Sequence, residues 1–136
     1  GAVQVGQKQT FEEMLPLDIV VCGCIAVTNA GGRTGKGGGF ADLELGLFRE
    51  LGKINPQTPI VTTVHSSMVV ADERLPIMEH DSLLNVIVTE RDVIYTKTTK
   101  PQPKGVVWNL VQPDQFDEIW FLRKLKEDIL AGKGER

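Results

Sequence analysis

A glycine-rich stretch between two apolar segments constrains this chain more than any other feature. Residues 31–42 contain six glycines, two cations and one carboxylate. They follow an apolar run at residues 19–27 and lead into an amphipathic run at residues 40–51. This order predicts a strand, a glycine loop and a helix start, with the strand buried on both faces in a parallel sheet that helices cover. Ligands bind at the carboxyl ends of such strands, so the loop is a candidate binding site.

The glycine loop has the composition of a phosphate site. Glycines let main-chain N–H groups converge on an anion, and the following helix N-terminus carries about half a positive charge. Arg33 suits bidentate contacts with phosphate oxygens, and Lys36 acts as a mobile point charge. A polyphosphate would repel Asp42 unless Mg²⁺ bridged the two. The alternative is a flexible turn in which Asp42 only favours its helix dipole, by about 0.3–1 kcal/mol.

The spacing of the loop excludes two common phosphate-binding motifs. A P-loop has four residues between its first glycine and a Gly-Lys pair, and the lysine is followed by Ser or Thr. Here only three residues separate Gly31 from the Gly35-Lys36 pair, and the lysine is followed by Gly37. The dinucleotide fingerprint would need glycine or alanine where this chain has Phe40. The loop therefore matches neither motif.

Hydrophobic periodicity outlines the rest of the domain. Apolar residues at spacings of three and four predict a helix over residues 40–51, with Gly52 near its C-cap. We expect further strands at 59–64, 85–89 and 92–96, and a last helix with Asp114 as its N-cap. The predicted organisation is an N-terminal arm at residues 1–16, an α/β domain at 17–130 and a frayed tail at 131–136.

Composition narrows the classes of function. The chain has 136 residues, which suits one domain, and its net charge of −3 without a basic, aromatic patch argues against a general nucleic-acid binder. No stretch resembles a membrane span. Cys22 and Cys24 are more typical of buried apolar residues than of a disulfide or metal pair. The predicted compartment is therefore the reducing cytoplasm or the interior of a reducing organelle.

Residues 33–42 resemble the motif R-x-G-x-G-x-G-[YF]-x-D of the 5-formyltetrahydrofolate cyclo-ligase family. Residues 79–90, with an His-Asp pair and a Thr-Glu pair, are similar to that family's H-D…T-[EP] segment. The subgroup of methenyltetrahydrofolate synthetase domain-containing proteins shares a G-K-G-x-G-F-A-D-x-E run, here residues 35–44, and a P-x-G-[IV]-x-W element, here residues 103–108. The resemblance covers roughly residues 17–128.

This resemblance implies a three-layer α/β fold with a mostly parallel sheet, similar to the ribose-5-phosphate isomerase and CoA-transferase group. It also implies an ATP- and Mg²⁺-dependent ring closure of 5-formyltetrahydrofolate to 5,10-methenyltetrahydrofolate, in which ATP phosphorylates the formyl oxygen. Arg33 and Lys36 would neutralise phosphate charge as catalytic residues, and Asp42 would hold Mg²⁺. The nucleotide would also contact the glycine loop and its first helical residue: Gly35, Gly37, Gly38, Gly39 and Phe40.

Four further residues are candidates for contacts with substrate. His80 and Asp81 form a candidate acid/base pair, against the alternative of a loop aspartate beside a surface histidine. His65 follows a predicted strand and is either a substrate contact or a structural histidine. Trp108 is either a stacking surface for a pterin or a core residue.

A second hypothesis follows from differences between this chain and the family. The family's N-terminal segment, which carries further nucleotide and folate contacts, is missing from these residues. The chain also has Ala41 at a position where active members usually carry an aromatic residue. It has Gly38 at a position where they often carry a second cation. A longer parent protein or a homo-oligomer would complete the site. Otherwise the domain is a non-catalytic or repurposed module that keeps nucleotide or anion binding.

Overall fold

The computed structural model describes residues 1–35, 39–119 and 121–131. Three predicted site residues, Lys36, Gly37 and Gly38, lie outside the described residues, as does the predicted tail from residue 132 onward. The α-helices are α1 (Ala2–Val5), α2 (Phe40–Glu50), α3 (Pro113–Glu118) and α4 (Leu122–Leu130), and short 3-10 helices span Ser66–Met68, Asp72–Arg74 and Trp108–Leu110. The strands are β1 (Val20–Val21), β2 (Ala26–Thr28), β3 (Arg33–Thr34), β4 (Ile60–Thr63), β5 (Val69–Val70), β6 (Val86–Val88) and β7 (Val93–Tyr95). No helix in these ranges has the length and apolarity needed to cross a membrane.

The described strands form two mixed sheets. One has the order β1-β4-β6-β7, with β1, β4 and β6 parallel and β7 antiparallel to β6. The other has the order β3-β2-β5, with β2 antiparallel to β3 and parallel to β5. The predicted α/β class and the β6–β7 hairpin are confirmed. The strands that we predicted in one mostly parallel sheet are divided between two, because β2 pairs with β3 and β5 and not with the strands of the first sheet.

The apolar run at residues 19–27 is not one strand buried on both faces, and that prediction is wrong. Its two halves, β1 and β2, belong to different sheets. Val20 packs against the core, whereas Val21 points to the opposite face and is 65% exposed. On that face Val21 continues a cross-strand row through Val61 and Val86 to Tyr95, which is 66% exposed. β-Branched residues suit a strand whichever way they point, so apolar composition alone overstated burial.

Helix α2 lies between two hydrophobic clusters, which accounts for its broad apolar face. Leu45 belongs to the main core with Ile60 and Ile87 of the first sheet. Leu43 and Leu47 pack against Leu122 of α4 in a second cluster. The helix was predicted over residues 40–51, and Gly52 follows its C-cap with φ 67° as expected.

The C-terminal helical segment differs from its prediction at its start. Gln112, not Asp114, stands at the N-cap of α3, which ends at Glu118 before α4 begins at Leu122. The side chain of Gln115 accepts a hydrogen bond from the Gln112 N–H at 2.9 Å. This bond occupies the helix start, so Asp114 lies in the first turn instead.

Candidate functional site

A cavity of about 670 Å³ at the junction of β3 and α2 is lined by most of the predicted site residues. The turn after β2 reverses the chain, so Arg33 lies on a strand and not in the glycine loop. Gly39 then adopts φ 67°, which glycine tolerates best, and α2 begins at the next residue. The predicted residues that line the cavity are Arg33, Gly35, Gly39, Phe40, Asp42, His80 and Asp81.

Arg33 and Asp42 form a buried ion pair at this cavity. Arg33 Nη2 lies 2.9 Å from Asp42 Oδ1, and the two side chains are 4% and 19% exposed. Burial by itself lowers the pKa of Arg33, but the charge and hydrogen bond of Asp42 outweigh it and leave that pKa raised. Arg33 Nε has no hydrogen-bond partner among the described residues. The arginine predicted to hold phosphate therefore already holds the aspartate predicted to bind Mg²⁺.

Two further residues fix the position of Asp42, and the sequence reading did not identify them. Asp42 Oδ1 also accepts a hydrogen bond from the Ser82 N–H at 2.9 Å. The Ser82 hydroxyl in turn accepts from Arg49 Nη1 at 2.9 Å. Burial lowers the pKa of Arg49, with the charge of Asp42 acting against that shift. The sequence does contain a signal for Arg49: it lies two helical turns after Asp42 and therefore on the same face of α2.

The carboxylates of the cavity favour ligands that bring a divalent cation. Asp42, Glu44 and Asp81 all line it, whereas its buried cation Arg33 is paired. A polyphosphate alone would be repelled by these groups. No cluster of three or more histidine, cysteine or acidic residues that could hold a metal exists within the described part of the chain. This arrangement fits Mg²⁺, which usually takes one or two carboxylates plus phosphate oxygens. The contacts of Asp42 with Arg33 and Ser82 are both made by Oδ1, so Oδ2 is the oxygen that would bind the cation.

His80 and Asp81 are adjacent in space as well as in sequence. His80 Nε2 lies 3.4 Å from Asp81 Oδ1, and Asp81 Oδ2 accepts a hydrogen bond from the Met78 N–H at 2.8 Å. Both residues line the cavity with Asp42. The structure thus brings this predicted acid/base pair to the same site as the glycine loop.

His65 and Trp108 lie elsewhere. His65 lines a separate depression after β4, where its Nδ1 accepts a hydrogen bond from the Ser67 N–H at 3.1 Å. Its Nε2 lies 3.5 Å from Glu90 Oε1. Trp108 stacks on Phe116 in the second hydrophobic cluster, with ring centroids 6.5 Å apart. Neither lines the cavity that holds the Arg33–Asp42 pair, and their proposed contacts with substrate stay predictions.

Replacing Glu90 by Gln should flatten the acid side of the stability curve. The Ser66 hydroxyl, and then the Ser66 N–H, hydrogen-bond to Glu90 and lower its pKa from 4.5 to about 2. A carboxylate with a depressed pKa in the folded state contributes stability that is present above its unfolded pKa and is lost as the pH falls through the folded one. Urea unfolding should therefore show a steeper loss for the wild type than for Glu90→Gln between pH 4.5 and about 2.

The matched control is Glu79→Gln, since Glu79 is also exposed. Its pH dependence should follow that of the wild type. Equal slopes for Glu90→Gln and the wild type would contradict the assignment of this hydrogen-bonded carboxylate.

Comparison with known proteins identifies the relatives of this chain. The 5-formyltetrahydrofolate cyclo-ligase family matches residues 3–90, more than half of the chain. A methenyltetrahydrofolate synthase domain-containing protein of Mus musculus is 38% identical over 118 residues, which cover 86% of this chain and 32% of the mouse protein. The protein of the same description in Homo sapiens is 37% identical over 118 residues, which cover 86% of this chain and 31% of the human protein. That of Danio rerio is 33% identical over 116 residues, which cover 85% of this chain and 30% of the zebrafish protein. The chain spans about a third of the length of the curated relatives it matches.

Proposed function

Because the chain belongs to the 5-formyltetrahydrofolate cyclo-ligase family, we propose that it binds Mg-ATP at the β3–α2 cavity and closes 5-formyltetrahydrofolate to 5,10-methenyltetrahydrofolate. One observation carries this proposal. Arg33, Asp42 and the start of α2 meet at a single cavity, and its carboxylates would repel a polyphosphate that arrived without a divalent cation. The further likeness to the ribose-5-phosphate isomerase and CoA-transferase group stays a prediction.

Each residue has a definite role in this proposal. Asp42 would hold Mg²⁺ through Oδ2, while Arg33 and Ser82 keep the carboxylate in place through Oδ1. The amides of Gly35 and Gly39, with the N-terminus of α2, would face the phosphates. ATP, when bound, supplies the activation that turns a formyl oxygen into a leaving group. The protein contributes positioning and charge stabilisation, which dominate phosphoryl transfer.

The second candidate function is a nucleotide- or anion-binding module without catalysis. The observation that favours it is the ion pair itself, because a guanidinium that is paired with Asp42 has fewer N–H groups to offer a reacting phosphate. A domain of this kind would bind Mg-ATP and leave 5-formyltetrahydrofolate unchanged. For either function, a reducing compartment stays a prediction from the sequence.

The two candidates differ in turnover. Methenyltetrahydrofolate formation should be followed by absorbance with 5-formyltetrahydrofolate and Mg-ATP, using this chain and any longer form of the same protein. Product from either one supports the cyclo-ligase. Absence of product from both, with Mg-ATP binding retained, rejects catalysis and supports the binding module.

Lys36→Ala should weaken Mg-ATP binding about tenfold, because it removes one positive charge from the glycine loop. Isothermal titration calorimetry measures the affinity. Lys124→Ala, at an exposed position on α4, is the matched control and should leave the affinity unchanged. Wild-type affinity in Lys36→Ala would remove the lysine from the proposed site, and no binding by the wild type would reject the nucleotide site as a whole.

A further inference from the structure

A groove beside the turn of the β2–β3 hairpin has the size and polar groups of a small-molecule site. Its volume is about 610 Å³, and ligand pockets typically span roughly 300–1,000 Å³. Lys97 and Lys100, in the segment after β7, supply positive charge. Asp72 and Glu73, in the short helix Asp72–Arg74, supply negative charge. The groove therefore offers partners for both anionic groups and hydrogen-bond donors.

The two lysines are available for a ligand. Neither forms an ion pair within the described part of the chain. Lys97 also has φ 49°, a left-handed backbone conformation that is unfavourable for a residue other than glycine. Such backbone strain occurs preferentially at ligand-binding sites. Asp72 is partly engaged, since its Oδ1 accepts a hydrogen bond from the Ala30 N–H at 3.3 Å, so Glu73 is the freer carboxylate.

The groove and the β3–α2 cavity are connected by shared elements. Thr28 and Ala30, near the hairpin turn, line the groove, whereas Ile25 and Thr34, at the open end, line the cavity. Ile25 and Thr28 are three residues apart in extended chain, which corresponds to about 10 Å. Residues 75–77 line the groove, and residues 80–81 of the same segment line the cavity. A single elongated ligand could therefore contact both.

We propose that this groove binds the carboxylate-bearing tail of a reduced folate, an inference that rests on the proposed function. That tail has two carboxylates, an amide N–H and an aromatic ring, at the end of the molecule remote from the formyl nitrogen. Lys97 and Lys100 pair with the carboxylates, and Glu73 accepts from the amide N–H. Leu75 and Ile77 provide apolar contact for the ring. The formyl group then lies toward Asp42 and the β3–α2 cavity.

The experiment uses p-aminobenzoyl-L-glutamate, which is this tail without the pterin, and follows backbone amide shifts by NMR. The wild type should show shifts at residues 72–77 and 96–100. The variant Lys97→Asn/Lys100→Gln should bind about tenfold more weakly; Asn is chosen because it tolerates the left-handed backbone of Lys97. Lys124→Gln is the control and should bind like the wild type.

Each outcome decides between the groove and the cavity. Equal affinity in the double variant and the wild type, or shifts confined to residues around Arg33 and Asp42, would overturn the groove. No binding at all would overturn it too. Turnover of 5-formyltetrahydrofolate, measured by absorbance on the same samples, reports separately on the proposed function. Turnover without groove shifts therefore removes the groove alone, whereas groove shifts without turnover remove catalysis and keep the site.

Discussion

Asp42→Ala should lower the free energy of unfolding by about 3–5 kcal/mol, the usual penalty for leaving a buried charge without its partner. Arg33 would lose the carboxylate 2.9 Å from its Nη2 while its side chain, 4% exposed, stays out of water. The Ser82 N–H would lose its acceptor as well. Total stability of such domains is about 5–15 kcal/mol, so this loss would be a large share of it. Urea unfolding followed by circular dichroism measures it.

Two controls separate burial from the mere presence of an ion pair. Asp117 forms a 2.7 Å pair with Arg123, but these side chains are 70% and 63% exposed. Asp117→Ala should therefore cost less than about 1 kcal/mol. The double variant Arg33→Met/Asp42→Leu should be more stable than Asp42→Ala, because no charge is left buried. A loss below 1 kcal/mol for Asp42→Ala would contradict a buried, stabilising pair.

Gly31→Ala should destabilise the fold by roughly 2–5 kcal/mol, the sum of backbone strain and overpacking. Gly31 has φ 95°, and a Cβ there would lie 2.7 Å from the Leu84 carbonyl oxygen. The same contact carries a backbone bond, since the Leu84 N–H donates to the Gly31 carbonyl at 2.9 Å. An added methyl group would push apart the β2–β3 turn and the segment that leads into β6. Thermal and urea unfolding measure the effect.

Two other glycines serve as matched controls that separate backbone strain from close packing in the predicted destabilisation by Gly31→Ala. Gly52 has φ 67° but open space around it, so Gly52→Ala should show the backbone strain alone, about 1–2 kcal/mol. Gly23 has neither a positive φ nor a neighbour within 4 Å, so Gly23→Ala should change stability by less than about 0.5 kcal/mol. If Gly31→Ala cost no more than Gly52→Ala, close packing against Leu84 would be contradicted.

Local patterns predicted the elements that surround the site. The spacing of apolar residues located α2, and Gly52 marked its end. The β6–β7 hairpin followed from two short apolar runs around a turn. Residues close in sequence, such as Gly39 and Asp42 or His80 and Asp81, could be assigned to one site because few residues separate them. These predictions depend on local geometry, which a sequence expresses directly.

Contacts between distant residues could not be predicted in the same way. The pattern around Arg33 indicated a phosphate contact, yet its side chain is paired with Asp42. Arg49 is linked to Asp42 through Ser82, which lies forty residues after Asp42 in the chain. Burial of Val21 was likewise overestimated, because a strand's composition does not say which of its faces meets the core.

The sequence by itself determined the family, helix α2 and the β6–β7 hairpin, because motif spacing and periodicity are local properties. Only the tertiary structure decided that Arg33 and Asp42 face each other, that the sheet is divided in two, and that Lys97 and Asp72 border one groove. The physical reason is that these arrangements depend on strand pairing and on which groups are withdrawn from water together. Neither is specified by the residues adjacent in the chain.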